Sequence, residues 1–352
     1  MPNSDKAPYL SVVVTGRNDN YGGDFLQRLQ HFVDRLSYLV EKEQLPTELV
    51  LVNYNPIAEN TSLETSITWP ENRSYLHIRI INVPSEVHKS LVDQTIRKTV
   101  PLFEFIAKNI GVRRARGEFI LCTNADILFS DKLFHYLAQK ALQKGCLYRA
   151  NRLDFVAPDV KMEVASPGFE EGLEPHIFKF FLQGGTFNLR RPKALATRLS
   201  ILHAYNRFRK TYYGLLTNKI LATLLFFFPK IKSEEFFLME YHCNASGDMA
   251  LLDRDSWQQM TGYPEATWIS THTDSLHVVS AVARGFRLEV IPHPIYHQEH
   301  HRRFDFSAHN PDMDRMYELL LSQIQKMLTR GEVMENQPHW GLAHHTFSEV
   351  CL

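Results

Sequence analysis

Residues 10–14 (Leu-Ser-Val-Val-Val) form a β-branched, largely apolar run, the pattern of a buried strand. A polar turn follows at Thr15, Gly16, Arg17, Asn18, Asp19 and Asn20, with Gly22 and Gly23 beyond it. Asp24 stands where a helix cap is expected. Phe25, Leu29, Phe32, Val33, Leu36, Leu39 and Val40 then recur at helical spacing until Pro46 closes the segment. Residues 48–52 repeat the buried-strand pattern and end in Asn53, Tyr54, Asn55 and Pro56. Residues 76–83 alternate as a third strand, 102–116 read as a helix, and 118–122 as a fourth strand.

The second half is less regular. Ser130 is placed to cap a helix running to residue 142, and strands are expected near 147–149, 186–189 and 286–291. Thr273 or Asp274 is placed to cap a helix that ends at Gly285. Asn310 and Pro311 open a last helix with Met316, Leu319, Leu320, Ile324 and Met327 as its apolar stripe and Gly331 as its stop. The final 20 residues read as a loose tail. Strands alternating with helices, each strand nearly all apolar, predict an α/β fold with a mostly parallel sheet covered on both faces. Ligands of such sheets bind beyond the carboxyl ends of the strands. Two of those ends carry chemistry here, residues 15–20 and 123–126.

Composition adds limits. A chain of 352 residues is long enough for roughly two domains or one large unit. The 39 basic and 39 acidic side chains balance, which argues against a protein that wraps nucleic acid. The cysteines at 122, 146, 243 and 351 form no C-x-x-C pair, which excludes a zinc knuckle and suits a reducing, cytoplasmic setting. No apolar leader opens the sequence, and no run approaches the about 20 residues of a membrane span. Charge is uneven in one place. Residues 190–232 hold ten Lys and Arg with no Asp or Glu, interleaved with aromatic and aliphatic residues. Such a segment either docks on an anionic membrane surface or grips a phosphorylated acceptor, or else is a basic outer face over ordinary core.

The chain lacks the phosphate-loop, dinucleotide-binding, zincin and nucleophile-elbow motifs. Asp126, just past the fourth strand, is placed to hold a hard cation, with Asn124 as an oxygen donor or sugar contact, and either also suits a turn. Histidines 293, 297, 300, 301 and 309 cluster late in the chain. His297, after a strand, is the best metal ligand among them, the rest reading as packing or solvated rings. Asp274 is a helix cap or a general base. Asp248, Trp257 and Glu265, with the turn Gly262-Tyr263-Pro264, suit either a sugar-binding wall or an ordinary helix and turn.

In this order the pieces resemble the GT-A nucleotide-sugar glycosyltransferases, particularly the family 2-like group. Residues 11–19 are similar to that family's first strand and loop, and 48–55 to its second strand, with Asn53 where an acidic residue is usual. Residues 111–126 resemble its approach to the DxD motif, which here reads Asn124, Ala125, Asp126. Residues 244–276 loosely resemble a galactosyltransferase-type acceptor region. The resemblance implies a Rossmann-like donor half over residues 1–130, an acceptor half over 131–305 and a helix and tail over 306–352. It implies donor contacts from Thr15, Arg17, Asp19, Asn53, Arg114, Asn124 and Asp126, and Mn²⁺ or Mg²⁺ on Asp126 with His297. Trp257 and Glu265 would touch the acceptor, and Asp274 would be the base, with Asp248 and Glu265 as rivals. The implied activity is inverting, metal-dependent transfer of a hexose from a nucleoside-diphosphate sugar to a glycan or lipid-linked hydroxyl. Two other readings stay open: a carbohydrate-binding protein on a decayed fold, for which the single carboxylate speaks, and a GT-A-like nucleotidyltransferase, whose Gly-rich loop fits poorly. A metal hydrolase built on the late histidines is a third, which would leave the Asp126 loop without a role.

Overall fold

The structure is a computed structural model that describes residues 7–71, 73–92, 100–156, 162–182, 185–188, 241–265, 272–300 and 311–352. The basic segment 190–232 lies outside these residues. Strands β1 (Leu10–Gly16), β2 (Thr47–Tyr54), β3 (Leu76–Val83), β4 (Phe119–Cys122), β5 (Ile127–Phe129), β6 (Cys146–Phe155), β7 (Ile177–Leu182), β8 (Gly185–Asn188), β9 (Ala250–Asp253), β10 (Arg287–Gln298) and β11 (Ser348–Cys351) join in one sheet. Its main order is β11-β3-β2-β1-β4-β9-β6-β10-β5. Pairing makes β3, β2, β1, β4, β6 and β10 point the same way, while β11, β9 and β5 run against them. The fold is thus α/β with a mostly parallel central sheet, and that sheet crosses residue 130 without a break.

The period of two along each strand divides the core. Val12, Val14, Leu49, Leu51, Ile78 and Ile80 face helix α1 (Phe25–Glu43). Val13, Val50, Val52, Ile81 and Ile120 face the opposite layer. That layer includes α4 (Glu104–Arg114), α7 (Arg254–Gln259), α8 (Thr273–Ala283) and α9 (Pro311–Arg330); the described residues also form the short helices α2 (Leu63–Ser66), α3 (Ser85–Val92), α5 (Asp131–Ala138) and α6 (Phe169–Leu173). Gly111 on α4 lets the helix lie on the sheet, since a Cβ there would come within 2.5 Å of Val13 Cγ1.

Several expectations need correction. Asp24 occupies the cap position of α1 but makes no cap bond, because its carboxylate pairs with Arg28. Ser130 does cap α5, accepting from Leu133 N at 3.2 Å, but the helix stops at Ala138. The final residues are not a loose tail. Trp340 is buried, β11 adds antiparallel to β3, and Arg114 donates to the carbonyls of Gly341, Leu342 and His345 at 2.8–3.0 Å. Strand β10 runs seven residues past its expected end. Pro292 and Pro294 lack the N–H a ladder needs, so β10 bulges there: Ile291 to Ile295 spans only Ala150 to Arg152 of β6. Beyond the bulge the strand resumes and carries His297 to the sheet's edge.

Candidate functional site

The carboxyl ends of β1, β4, β6 and β10 lie along one edge, and antiparallel β9 enters from that same edge. Asp126 lies just beyond β4. His297 lies near the end of β10, which pairs with β5 directly after Asp126, and Gln298 N donates to the Asp126 carbonyl at 2.9 Å. Asp126 Oδ2 is 3.1 Å from His300 Nε2 and 3.6 Å from His297 Nε2, while its Oδ1 is buried without a hydrogen-bond partner. Burial works to raise the Asp126 carboxyl. The two histidines, by charge and hydrogen bond, outweigh it and hold the group well below the usual carboxylate range. Burial and Arg152 work to lower His297, but Asp126 and Asp154 leave it raised.

One donor atom from each of Asp126, His297 and His300 lies within 4.8 Å of the other two. A metal ion holds such donors at about 2.0–2.2 Å, so two donors on one ion stand at most about twice that apart. Asp126 Oδ2, at 3.1 and 3.6 Å from the two ring nitrogens, lies within that limit of both, and its orphaned Oδ1 is a further oxygen donor, so the three side chains fit a single divalent cation. His300, read from sequence as packing, belongs to the set.

Behind this edge lies a second network. Arg152 and Asp154 occupy one face of β6 at the two-residue spacing. Arg152 donates to both oxygens of Asp154, at 2.6 and 3.0 Å, and also to Asp248 Oδ2. Asp248 Oδ1 accepts from Asn124 Nδ2 at 2.8 Å, and its carbonyl accepts from Thr123 Oγ1 at 2.7 Å. Asn124, the expected oxygen donor, thus gives an amide N–H to Asp248 through Nδ2. The strand expected near 147–149 runs on to Phe155 and carries Arg152 and Asp154, which the sequence does not mark as site residues. Charged residues in a strand read as the end of burial, so no local signal marks them.

The loop carrying Asp248 is held on both sides. Buried Lys108 donates to the Gly247 carbonyl at 2.8 Å, and Asp274 Oδ2 accepts from Gly247 N at 2.7 Å. Asp274 does not cap its own helix, whose cap position is His272. Its other oxygen accepts from Ser275 N at 2.9 Å. Both oxygens are thus committed to backbone.

Beyond the carboxyl ends of β1 and β2, Arg17 Nε donates to the Asn55 carbonyl at 2.7 Å and Arg17 pairs with Asp19 at 2.7 Å; Thr15 is buried near the end of β1. Asn53 Nδ2 donates to Asn82 Oδ1 at 2.8 Å, and Asn82 Nδ2 donates to Glu64 Oε1 at 2.6 Å. Glu64 can only accept, so it fixes both amides in one sense. Asn53 Oδ1 is left as a buried acceptor without a partner, beside a cavity of ≈ 410 Å³ lined by Asn18, Asn53, Ile57, Asn82 and Phe347.

Three expected contacts fall elsewhere. Trp257 is fully buried, gives its indole N–H to the Ile120 carbonyl at 3.0 Å and stacks on His277, so it offers no face to a sugar. Arg114 anchors the C-terminal segment. Glu265 Oε1 accepts from Asn109 Nδ2 and Gly341 N, at 2.9 and 2.7 Å, and fastens that same segment. Among the described residues no helix is long and apolar enough to cross a membrane.

No family model matches the chain, and no curated protein matches it in sequence. Among solved structures it is similar to residues 1–349 of Staphylococcus aureus TarS in complex with UDP-GlcNAc, with 13% identity, coverage of 93% of this chain and 68% of that one, and a TM-score of 0.45. A second structure of TarS 1–349 gives 12% identity, 82% and 60% coverage, and a TM-score of 0.41. Both scores lie below 0.5, where a likeness assigns no activity.

Proposed function

We propose that the chain is a Mn²⁺-dependent, inverting glycosyltransferase that moves a sugar from a nucleoside-diphosphate donor to a hydroxyl acceptor. The observation that carries this reading is the meeting of Asp126, His297 and His300 with Asp248 at the carboxyl ends of the parallel strands. Asp126, His297 and His300 hold the cation. Two imidazoles beside one carboxylate favour Mn²⁺ over Mg²⁺, which takes oxygen donors. The bound ion supplies charge stabilisation for the departing diphosphate. Asn53 Oδ1 is placed to accept an N–H from the donor's base, and Arg17 with Asp19 lies alongside for ribose or phosphate. Asp248, oriented by Asn124 and Arg152, takes the proton of the acceptor hydroxyl as it attacks the anomeric carbon. Asp274 braces the loop that carries Asp248.

The test is a panel of nucleoside-diphosphate sugars with Mn²⁺ and with EDTA, read by thermal shift and nucleotide release. A donor present at a hundred times its Kd adds about 2.7 kcal/mol of stability, a shift that EDTA should erase. Asp126→Ala should abolish Mn²⁺-dependent turnover, and full activity in that variant would remove the cation role. No shift and no release with any donor would leave a glycan-binding protein without transfer.

A further inference from the structure

Given the cation site read at Asp126, His297 and His300, we propose that Asp154, clamped by Arg152, is a positioning residue that keeps the proton of His297 on Nδ1 and leaves Nε2 free to coordinate. A neutral imidazole has one lone pair. A ring that ligates through one nitrogen must carry its proton on the other, and the group facing that proton fixes the tautomer and the ring's orientation. In His297 the two nitrogens face different neighbours. Nε2 is on the Asp126 side, at 3.6 Å. Nδ1 is 3.4 Å from Asp154 Oδ1 and 3.8 Å from Glu299 Oε2. It is buried and has no well-formed hydrogen bond, so only acceptor oxygens compete for its proton.

Of the two acceptors, Asp154 is the fixed one. It is fully buried and both its oxygens are held by Arg152, whereas Glu299 is 31% exposed. Arg152 is itself immobilised, with its guanidinium 4.4 Å from the Phe181 ring centroid and bonded to Asp248. Asp154, His297 and Glu299 also lie close enough to suggest a second cation. The guanidinium of Arg152 already supplies positive charge at both Asp154 oxygens, and the single lone pair of His297 points the other way. The Asp154 side is therefore the proton side. One guanidinium thus sets both the ring of His297 and the carboxylate of Asp248, so cation loading and the proposed base are built on the same support.

The test uses the full chain and the metal alone. Mn²⁺ affinity is measured from the electron-paramagnetic signal of the free ion, for the unaltered protein, Asp154→Ala and Asp154→Asn. Asp154→Ala should weaken Mn²⁺ binding by about 10–100-fold, the range for loss of such a supporting partner. Asp154→Asn, which keeps the volume and one acceptor oxygen, should fall between, and carries the test where the alanine variant does not fold. With Zn²⁺ as a diamagnetic probe, ¹⁵N histidine spectra should read His297 bound through Nε2 in the unaltered protein and a mixture of both nitrogens in Asp154→Ala. Unchanged Mn²⁺ affinity in both variants, or coordination through Nδ1 in the unaltered protein, would overturn the proposal. If the unaltered protein binds no Mn²⁺, the cation reading itself falls and this role falls with it.

Discussion

His277 gives the chain a specific acid weakness. Its ring lies between Trp257 and Tyr263, with centroids at 4.6 and 4.4 Å, and it is fully buried. Burial leaves no water to solvate an imidazolium, and Arg149 adds repulsion, so its pKa is pushed down to about 3. His242, against the same Arg149, is likewise pushed down to about 3, by burial first and the arginine's charge second. In the unfolded chain both return to about 6.5. A histidine lowered on folding contributes stability that is present above pH 6.5 and is lost as pH falls toward the folded value. Each pH unit below 6.5 removes about 1.4 kcal/mol per such group. Going from pH 6.5 to 5 should therefore cost about 2 kcal/mol for each histidine and about 4 kcal/mol for the pair. Burial also lowers His88 and His345, which add to the same slope, and raises Asp34 and Glu265, which oppose it. Asp126 and Asp154 are lowered carboxylates whose contribution is lost below about pH 4. His297 is raised, so its contribution is fully present below 6.5 and lost as pH rises through its folded value. The assay is urea unfolding followed by circular dichroism between pH 7 and 5. His277→Phe, which keeps an aromatic ring between Trp257 and Tyr263 and removes the titration, should lower the pH slope by about 1.4 kcal/mol per pH unit. An unchanged slope in that variant would refute the assignment.

Three further outcomes follow from the contacts. Asp274→Asn should leave turnover within about tenfold of the unaltered protein, because the amide oxygen still accepts the Gly247 N–H, while Asp248→Asn should lower it by about 10²–10⁴-fold. The reverse order in steady-state kinetics would make Asp274 the base. Trp257→Ala should cost about 3–5 kcal/mol in urea unfolding, as for a buried aromatic, and Trp257→Phe should leave acceptor KM unchanged; a raised KM with normal stability would restore a sugar contact. Arg114→Ala removes the donors to the carbonyls of Gly341, Leu342 and His345, so amide exchange in β11 should quicken while β1 stays protected. Equal protection of β11 in the variant would show that the Arg114 contacts do not hold the segment.

What was legible in the sequence follows a physical division. β1, β2 and β3 and helix α1 announce themselves because their burial is set by local pattern: β1 and β2 are nearly continuous apolar runs, β3 alternates, and α1 has one apolar stripe. The site is only half local. Asp126 stands next to a strand end, and His297 follows a run of apolar residues, so both could be picked out. Arg152 and Asp154 could not, because charged residues in a strand read as the end of burial. Here they are buried together with Asp248, nearly a hundred residues away in sequence, and the ion pairs among the three offset much of their desolvation. The same reason misplaced Trp257 and Glu265. A tryptophan near a Gly-Tyr-Pro turn looks like a binding wall until α8 and β4 close around it, and Glu265 looks free until residues 336–341 return to cover it. Local pattern specifies which segments are elements. The pairing of distant charges specifies which of their ends become a site, and a buried charge with its partner far along the chain is the signal that no window of sequence contains.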